Sequence, residues 1–293
     1  MYFMIKFKAM KNSLLWLSLM IVSCAPQTKH HQRIELPAVV EETSGLARIG
    51  EDLLTHNDSG DQAALYQIST SGDLVNTIGI QGAIHRDWED MAQDEKHYYI
   101  ADTGNNKGKR KDLTVYILSH DFVLQDSIKI AYSKQTSFKK KKKTKYDAEC
   151  LISYGDSLLI FSKNRKSRST QLYAFPKKAG TYSLTSLKKF KVNTLITGGD
   201  YDADAKLLVL TGYLPDRSQY LIKAQPFALN ALDEVILEKY ELPLEKAQVE
   251  AVSIIDSSQV WISSEGEGLN IPFIKKIKFQ ALDTPVTIVG APQ

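Results

Sequence analysis

The 293-residue sequence predicts an all-β fold, a β-propeller of five four-stranded blades. Three observations lead to this prediction: an acidic motif that recurs five times, an apolar strand at a similar distance after each copy, and little helical periodicity. Apolar residues make up 43% of the chain and charged residues 24%, which excludes disordered, collagen-like and coiled-coil proteins. The 14 tyrosines among the aromatic residues also favour strands.

Each repeat begins with an acidic segment and continues into a strongly apolar strand. The acidic segments are ETSGLA from Glu42, DWEDMA from Asp87, YDAECL from Tyr146, GGDYDA from Gly198 and QVEAVS from Gln248. The strands are LLTH from Leu53, YYIA from Tyr98, LLIF from Leu158, LLVL from Leu207 and VWIS from Val260. The spacing is nine residues from Ser44 to Leu53, from Glu89 to Tyr98 and from Glu149 to Leu158, ten from Glu250 to Val260, and seven from Asp200 to Leu207.

Polar loops and further strands follow each apolar strand, so a four-stranded meander recurs every 45 to 60 residues. Such a unit buries both faces only against neighbouring units, as propeller blades do. The last copy lacks a fourth strand, and we expect residues 34–40 to supply it and close the ring. The domain prediction is therefore one propeller over residues 34–293. Six blades or a β-sandwich are the alternative architectures.

The first 23 residues predict a signal peptide. Lysines precede a nine-residue apolar run, 14–22, which is too short to cross about 30 Å of hydrocarbon. The segment Ile21-Val22-Ser23-Cys24 resembles a bacterial lipobox, whose cysteine carries a diacylglycerol. This resemblance implies lipidation at Cys24, a tether over residues 24–33, attachment to the membrane through the lipid, and an outer-membrane location facing the periplasm. An ordinary secretory signal is the alternative.

Charge and cysteine content limit the partners. The signal segment carries Lys6, Lys8 and Lys11 and no acidic residue, and the rest of the chain has equal numbers of acidic and basic residues. No nucleic-acid partner is therefore expected. With Cys24 acylated, only Cys150 remains, in an apolar strand, so no intrachain disulfide is expected. We expect a monomer.

Propeller geometry would gather the acidic segments and the loops between second and third strands on one face around the axis, where a functional site is expected. Candidate catalytic residues on this face are His56, Asp58, His85 and Asp102, since histidine and carboxylate side chains act as general acids and bases. Candidate substrate-binding residues are Asn57, Asp61, Arg86, Asn105, Lys163, Arg165, Tyr213 and Glu265. The arginines and lysines would suit an anionic ligand.

The corresponding positions at the start of each repeat predict a metal site on the axis. They are Ser44, Glu89, Glu149, Asp200 and Glu250, with Asp200 displaced in register. Converging carboxylates repel unless a cation neutralises them or their pKa values rise. Calcium accepts six to eight oxygen ligands in flexible geometry, which fits such a ring better than magnesium does. Alternatively, these side chains hydrogen-bond the backbone of neighbouring blades without metal.

The segments ETSGL, THNDSGD, RDWEDMA, ADTGNN, DAE, TGGDY and SSEGEG resemble, in this order, a family of exported bacterial propeller lipoproteins with no assigned reaction. That resemblance implies a propeller and export. The architecture is also similar to that of calcium-activated nucleotidases of the apyrase type, in which serine and glutamate side chains hold an axial calcium. This similarity implies the same role for Ser44, Glu89, Glu149 and Glu250, and it does not extend to the nucleotide-contacting residues.

Two functions follow from these expectations. The first is a ligand- or partner-binding module with a central calcium ion, taking a small anionic or glycan ligand. The second is a calcium-dependent hydrolase of a phosphate ester, nucleotide or lactone, in which the cation polarises the substrate and a carboxylate orients water. No organic cofactor is expected. The binding module is preferred because the sequence shows no recognisable catalytic set.

Overall fold

A computed structural model describes residues 1–2, 33–140, 143–244, 247–266 and 270–289 of the protein. The predicted signal peptide from residue 3 onward, Cys24 and the tether up to residue 32 lie outside these residues, so their assignments stay predictions. The chain divides into two units, Met1–His30 and His31–Gln293, and the strands found among the described residues belong to the second unit.

The described residues form β-strands joined by short loops. In chain order the strands are β1 (Ile34–Glu35), β2 (Thr43–Ile49), β3 (Asp52–Asn57), β4 (Ala64–Ile68), β5 (Leu74–Gly79), β6 (Asp90–Gln93), β7 (His97–Asp102), β8 (Thr114–Ser119), β9 (Leu124–Tyr132), β10 (Asp147–Tyr154), β11 (Ser157–Lys163), β12 (Thr170–Pro176), β13 (Gly180–Leu184), β14 (Lys188–Phe190), β15 (Leu195–Asp202), β16 (Leu207–Tyr213), β17 (Gln219–Ala224), β18 (Ile236–Leu242), β19 (Val249–Asp256), β20 (Gln259–Ser264), β21 (Phe273–Lys278) and β22 (Val286–Val289). Three single-turn 3₁₀ helices, Ala38–Val40, Leu229–Ala231 and Phe279–Ala281, are the only helices among the described residues.

These strands make five sheets, and the prediction of a five-bladed propeller is confirmed. Blade one contains β2 to β5, blade two begins with β6, blade three with β10, blade four with β15 and blade five with β19. The first strand of each blade contacts the first strand of both neighbouring blades in ring order, so these five strands surround the axis. The described residues contain no helix long and apolar enough to span a bilayer.

The core consists of five hydrophobic clusters, one between each pair of adjacent blades. Because side chains alternate across a strand, one apolar strand serves two clusters. In β11, Leu158 and Ile160 pack toward blade two, whereas Leu159 and Phe161 pack toward blade four. This two-sided burial explains why the second strand of each repeat reads as a continuous apolar run.

A strand before the first repeat closes the ring, as the sequence predicts, but it covers only Ile34–Glu35 and not residues 34–40, because Ala38–Val40 forms a 3₁₀ helix. Ile34 and Glu35 of β1 pair antiparallel with Ile274 and Phe273 of β21, which completes blade five. Two other strands pair with a blade that is built by a different repeat. Strand β13 pairs in parallel with β9 of blade two, and the C-terminal β22 pairs with β18 at the outer edge of blade four.

Candidate cation site

Acidic side chains from several blades converge at the end of the axis where the innermost strands begin. Asp87 and Glu89 immediately precede β6, and Asp147 and Glu149 begin β10. Asp58 follows β3, and its backbone N–H donates to the Glu42 carbonyl oxygen at 2.9 Å. The structure thus places the predicted Glu89 and Glu149 together, with Asp58, Asp87 and Asp147 beside them.

Bulges in the innermost strands set the direction of two acidic side chains, Glu149 and Glu250. The pairing of β10 with β11 shifts register between Ala148 and Leu151, which leaves Glu149 in a bulge. The pairing of β19 with β20 shifts between Val249 and Ala251, so Glu250 also occupies a bulge. A β-bulge bends the strand and redirects its side chain, and bulges are frequent beside functional sites.

The carboxylates form two groups that share one residue. In the first group, ligand oxygens of Asp58, Asp87 and Glu89 lie within 4.8 Å of one another. In the second group, those of Glu89, Asp147 and Glu149 lie within the same distance. Glu89 is therefore common to both groups, and 96% of its surface is buried, since its relative exposure is 4%. This arrangement offers oxygen ligands of the kind that calcium prefers.

Basic side chains neutralise only the second group. Lys163 forms an ion pair with Glu149, and Arg165 Nη2 lies 3.2 Å from Glu149 Oε1 and 3.5 Å from Asp147 Oδ2. Lys163 Nζ also lies 4.8 Å from the ring centre of Tyr213. Among the described residues, no ion pair reaches Asp58, Asp87 or Glu89. Arg110 and Lys107 act on Asp87 only through their charge, which opposes the rise of its pKa.

Burial and mutual repulsion change the pKa values of these acids. Burial, with contributions from Glu149 and Asp58, raises the pKa of Glu89 well above its ordinary value. Burial also raises the pKa of Asp58 to about 8 and that of Asp87 to about 6. For Asp147, burial and the neighbouring Glu149 raise the pKa to about 8. These directions are those expected for carboxylates crowded into a low-dielectric site without a metal ion.

Gly104 makes room for the first group. Its N–H donates to the Asp87 carbonyl oxygen at 3.1 Å, which holds the β7–β8 loop against the segment before β6. A Cβ atom at position 104 would clash directly with the carboxylates of Glu89 and Asp87. Glycine is the residue that permits such a close approach.

Glu250 and Glu265 form a third acidic patch beside Lys163. Gln248 Nε2 donates to Glu250 Oε1 at 2.7 Å and to Glu265 Oε2 at 2.6 Å. Burial raises the pKa of Glu250 to about 7, and the charge of Lys163 opposes this rise. Burial and the neighbouring Glu250 raise the pKa of Glu265 to about 10.

Two of the five predicted metal positions bind neighbouring backbone instead. Ser44 Oγ donates to the Glu89 carbonyl oxygen at 2.6 Å and so links blade one to blade two. Asp200 Oδ2 accepts from the Ile254 N–H at 2.7 Å, which links blade four to blade five. Thr197, and not Asp200, occupies the bulge of β15. Asp200 does not join the acidic cluster because it lies three residues further along the strand.

The two candidate catalytic histidines pack against Trp88. His56 Nδ1 lies 2.8 Å and His85 Nε2 lies 3.0 Å from the carbonyl oxygen of Asn57. Both rings meet Trp88 edge-on, with centroid distances of 5.6 and 4.5 Å. Burial lowers the pKa of His56 to about 3 and also lowers that of His85. His56 is therefore neutral near pH 7, and its contacts are those of a core residue.

Other predicted residues hold the loops in place. Asp102 accepts from Arg110 at 2.8 Å and from the Asp87 N–H at 3.1 Å, so it positions the acidic segment. The Asn105 N–H donates to Asp147 Oδ1 at 2.7 Å. Asp61 accepts from Tyr66 and Asn57, each at 2.7 Å. Arg86 pairs with Asp112 at 2.8 Å on the surface.

Sequence reasoning missed Asp87 and Asp147 as members of the cluster. Each lies two residues before a predicted glutamate, in the segments DWE and DAE. In an extended chain, residues two apart point to the same side. The repeated Asp-x-Glu spacing was the signal that could have identified both.

Comparisons with known proteins support the fold. No protein-family model matches the sequence, and no curated protein matches it. Among solved structures, an exo-β-1,3-galactanase from Phanerochaete chrysosporium is 10% identical, with a TM-score of 0.53 over 89% of this chain and 71% of that chain. A protein of unknown function from Bacteroides caccae is 8% identical, with a TM-score of 0.44 over 84% of this chain and 81% of that chain. At 10% identity the likeness to the galactanase shows the fold alone.

Proposed function

We propose that this protein is a propeller-type binding module with one calcium ion at the axial end of its innermost strands. The ligands are Asp58, Asp87 and Glu89. The observation that carries the proposal is that these three carboxylates lie within 4.8 Å of one another and have no paired cation among the described residues. Their neighbours Asp147 and Glu149 are already paired with Lys163 and Arg165.

The surroundings of the group support a bound cation. Desolvated, unpaired carboxylates at this distance cost free energy, which either protonation or a cation relieves. Gly104 leaves space beside two of the three ligands that any larger residue would fill. Calcium suits a site built from separate loops, because it tolerates irregular coordination that magnesium does not.

The predicted location belongs to the same proposal. A lipid on Cys24 would hold the propeller at a bacterial membrane, with the binding face free to meet a small anionic or glycan ligand. The support for lipidation is the sequence around Cys24, which resembles a lipobox.

The hydrolase alternative is favoured by one observation. Arg165 is partly exposed, and its guanidinium contacts Asp147, Glu149 and Asn106 beside the proposed cation. A cation and a guanidinium on opposite sides of an anionic group can stabilise charge that develops during hydrolysis. Turnover of a nucleotide, sugar phosphate or lactone that is lost with chelator would select this function over binding alone.

Thermal unfolding with and without calcium tests the cation site. We expect calcium at about 100 times its dissociation constant to stabilise the protein by about 2.7 kcal/mol, which is a rise in melting temperature of roughly 5–10 °C. Glu89→Gln should unfold at a higher temperature than the wild type in chelator, because repulsion is removed. The same variant should lose most of the calcium-induced rise.

The matched control is Glu95→Gln, which removes an exposed carboxylate in the β6–β7 hairpin. Its calcium response should equal that of the wild type. An unchanged melting temperature of the wild type on addition of calcium would overturn the proposal, as would an equal response in Glu89→Gln.

A further inference from the structure

A separate pocket of about 300 Å³ lies beside the acidic cluster. Its walls come from the connection between β9 and β10 and from the loop between β11 and β12. Lys143, Lys145 and Lys166 are among the residues that line it. This volume is at the small end of the range for sites that bind small molecules.

The charge around the pocket is strongly positive. Residues 107–111 read KGKRK, residues 134–145 contain seven lysines, residues 165–168 read RKSR, and none of these segments contains an acidic residue. Arg110 is paired with Asp102 and Asp112, and Arg165 is paired with Asp147 and Glu149. By contrast, Lys143, Lys145 and Lys166 are exposed, and no ion pair to any of them occurs within the described residues. The field of the pocket therefore favours an anion.

Internal hydrogen bonds fix the backbone of both walls. Thr144 Oγ1 accepts from the Tyr146 N–H at 3.1 Å. Asn164 Oδ1 accepts from the N–H groups of Lys166 and Ser167, each at 3.1 Å. Thr144 and Asn164 are both buried. A pocket with such fixed walls loses little entropy when it binds a ligand.

The pocket adjoins the cation site through the chain itself. Tyr146 directly precedes Asp147, and Asn164 lies between Lys163 and Arg165. The remaining wall is the Tyr146 ring with Lys145 Nζ 5.2 Å from its centre. Lysine stems and an aromatic ring offer carbon surface to the body of a ligand, while the ammonium groups meet its charge.

We infer that this pocket binds a small phosphorylated molecule, such as a sugar phosphate, with its phosphate on Lys143, Lys145 and Lys166. The inference does not rest on the proposed calcium site, because it uses none of that site's ligands. A membrane surface of acidic lipids is the less suitable partner, since the three lysines line a concave pocket rather than a flat patch.

Isothermal titration calorimetry with fructose 1,6-bisphosphate as the probe tests this inference at low ionic strength. The wild-type protein should bind the bisphosphate and should not bind fructose. The triple variant Lys143→Gln, Lys145→Gln, Lys166→Gln should bind it at least tenfold more weakly, because three charges that contact phosphate are lost. The calcium-induced rise in melting temperature should be retained in this variant, which shows that the variant folds and separates the two sites.

The control triple variant is Lys96→Gln, Lys178→Gln, Lys206→Gln, which removes the same charge from exposed positions in the hairpins at the other end of the propeller. It should bind the bisphosphate like the wild type. The inference is overturned if the wild type does not bind the probe or if both triple variants lose equal affinity. It is also overturned if only phosphatidylglycerol vesicles, and not the bisphosphate, distinguish the pocket variant from the wild type.

Discussion

At the scale of single residues, the site depends on which neighbour each carboxylate has. Glu149 shares the cluster with Glu89, yet it forms an ion pair with Lys163, whereas Glu89 is paired with no cation within the described part of the chain. In blade five the residue two positions before the glutamate is Gln248, whose amide donates to Glu250. A neutral donor there relieves the charge that an aspartate would add. Among the described residues, the carboxylates of the cluster without an ion pair are consequently Glu89 and its neighbours Asp58 and Asp87.

Replacing Gly104 with alanine should damage the site selectively. The new methyl group would clash with the carboxylates of Asp87 and Glu89, so these side chains or the β7–β8 loop must shift. Overpacking of this kind costs about 1–3 kcal/mol. Chemical denaturation should show that loss, and the calcium-induced rise in melting temperature should fall with it.

Gly79→Ala provides the matched control for this substitution. Gly79 lies in β5, and a Cβ atom there would meet nothing within 4 Å. Stability and calcium response should both stay close to those of the wild type. A Gly104→Ala variant with the same stability and calcium response as Gly79→Ala would show that the close approach at position 104 has no energetic consequence.

The repeat identified equivalent positions, but the offset alone did not decide which of them join the cluster, because Ser44, also nine residues before its strand, hydrogen-bonds the Glu89 backbone. Nine-residue and ten-residue offsets identified Glu89, Glu149 and Glu250, which the structure gathers at one end of the axis. The seven-residue offset of Asp200 already marked a different register. The ion pairs of Lys163 and Arg165 with the cluster depend on side-chain directions between strands, which a periodic pattern in the sequence does not encode.

At the scale of strands, the repeat predicted the inner three strands of each blade better than the outer ones. In blade three the outer strand is the three-residue β14, which pairs with β12, whereas the preceding β13 pairs with β9 of blade two. The inner strands are fixed by burial on both faces, which imposes a clear pattern. Outer strands lie at the rim, where one face is exposed and the choice of partner depends on loop length.

An ion pair links the strands of two blades and should make stability depend on pH. Lys177 Nζ, after β12, lies 2.7 Å from Asp94 Oδ2 in the β6–β7 hairpin. Burial alone would raise the pKa of Asp94, but hydrogen bonds from Lys177, Tyr99 and nearby backbone lower it to about 2. The lowered pKa means that the folded state favours the ionised carboxylate. Its stabilising effect is present above about pH 4 and is lost as the pH falls toward 2.

Urea unfolding of Asp94→Asn checks this link. Because the carboxylate is 24% exposed, solvent screening weakens the ion pair. The free energy of unfolding at pH 7 should therefore be about 1 kcal/mol lower in the variant than in the wild type. The difference in the free energy of unfolding between the variant and the wild type should become smaller as the pH falls from 4 to 2.5. Asp126→Asn, at an exposed position of β9, serves as the control and should differ little from the wild type at any pH. A difference for Asp94→Asn that stays constant with pH would contradict the assigned role.

At the scale of the whole molecule, closure of the ring decides whether five blades form one stable body. Each interface between blades buries one hydrophobic cluster, and the cluster between blades five and one includes Leu36, Val40 and Ile274. Residues from the beginning of the chain thus pack against strands from its end. Bringing segments so far apart in the sequence together costs conformational entropy. The contacts that complete blade five should therefore contribute strongly to the cooperativity of unfolding.

Truncation at two points separates ring closure from the role of the preceding segment. Removal of residues 1–30 leaves β1 intact and should leave the melting temperature of the propeller unchanged. Removal of residues 1–36 deletes β1, its pairing with β21, and the 2.8 Å hydrogen bond from the Leu36 N–H to the Pro272 carbonyl oxygen. Loss of these bonds and of the buried Leu36 should cost roughly 2–4 kcal/mol, which lowers the melting temperature by about 5–10 °C. The free edge of β21 should also promote association, detectable by light scattering. Equal melting temperatures for the two truncated proteins would mean that the ring is held without its N-terminal strand.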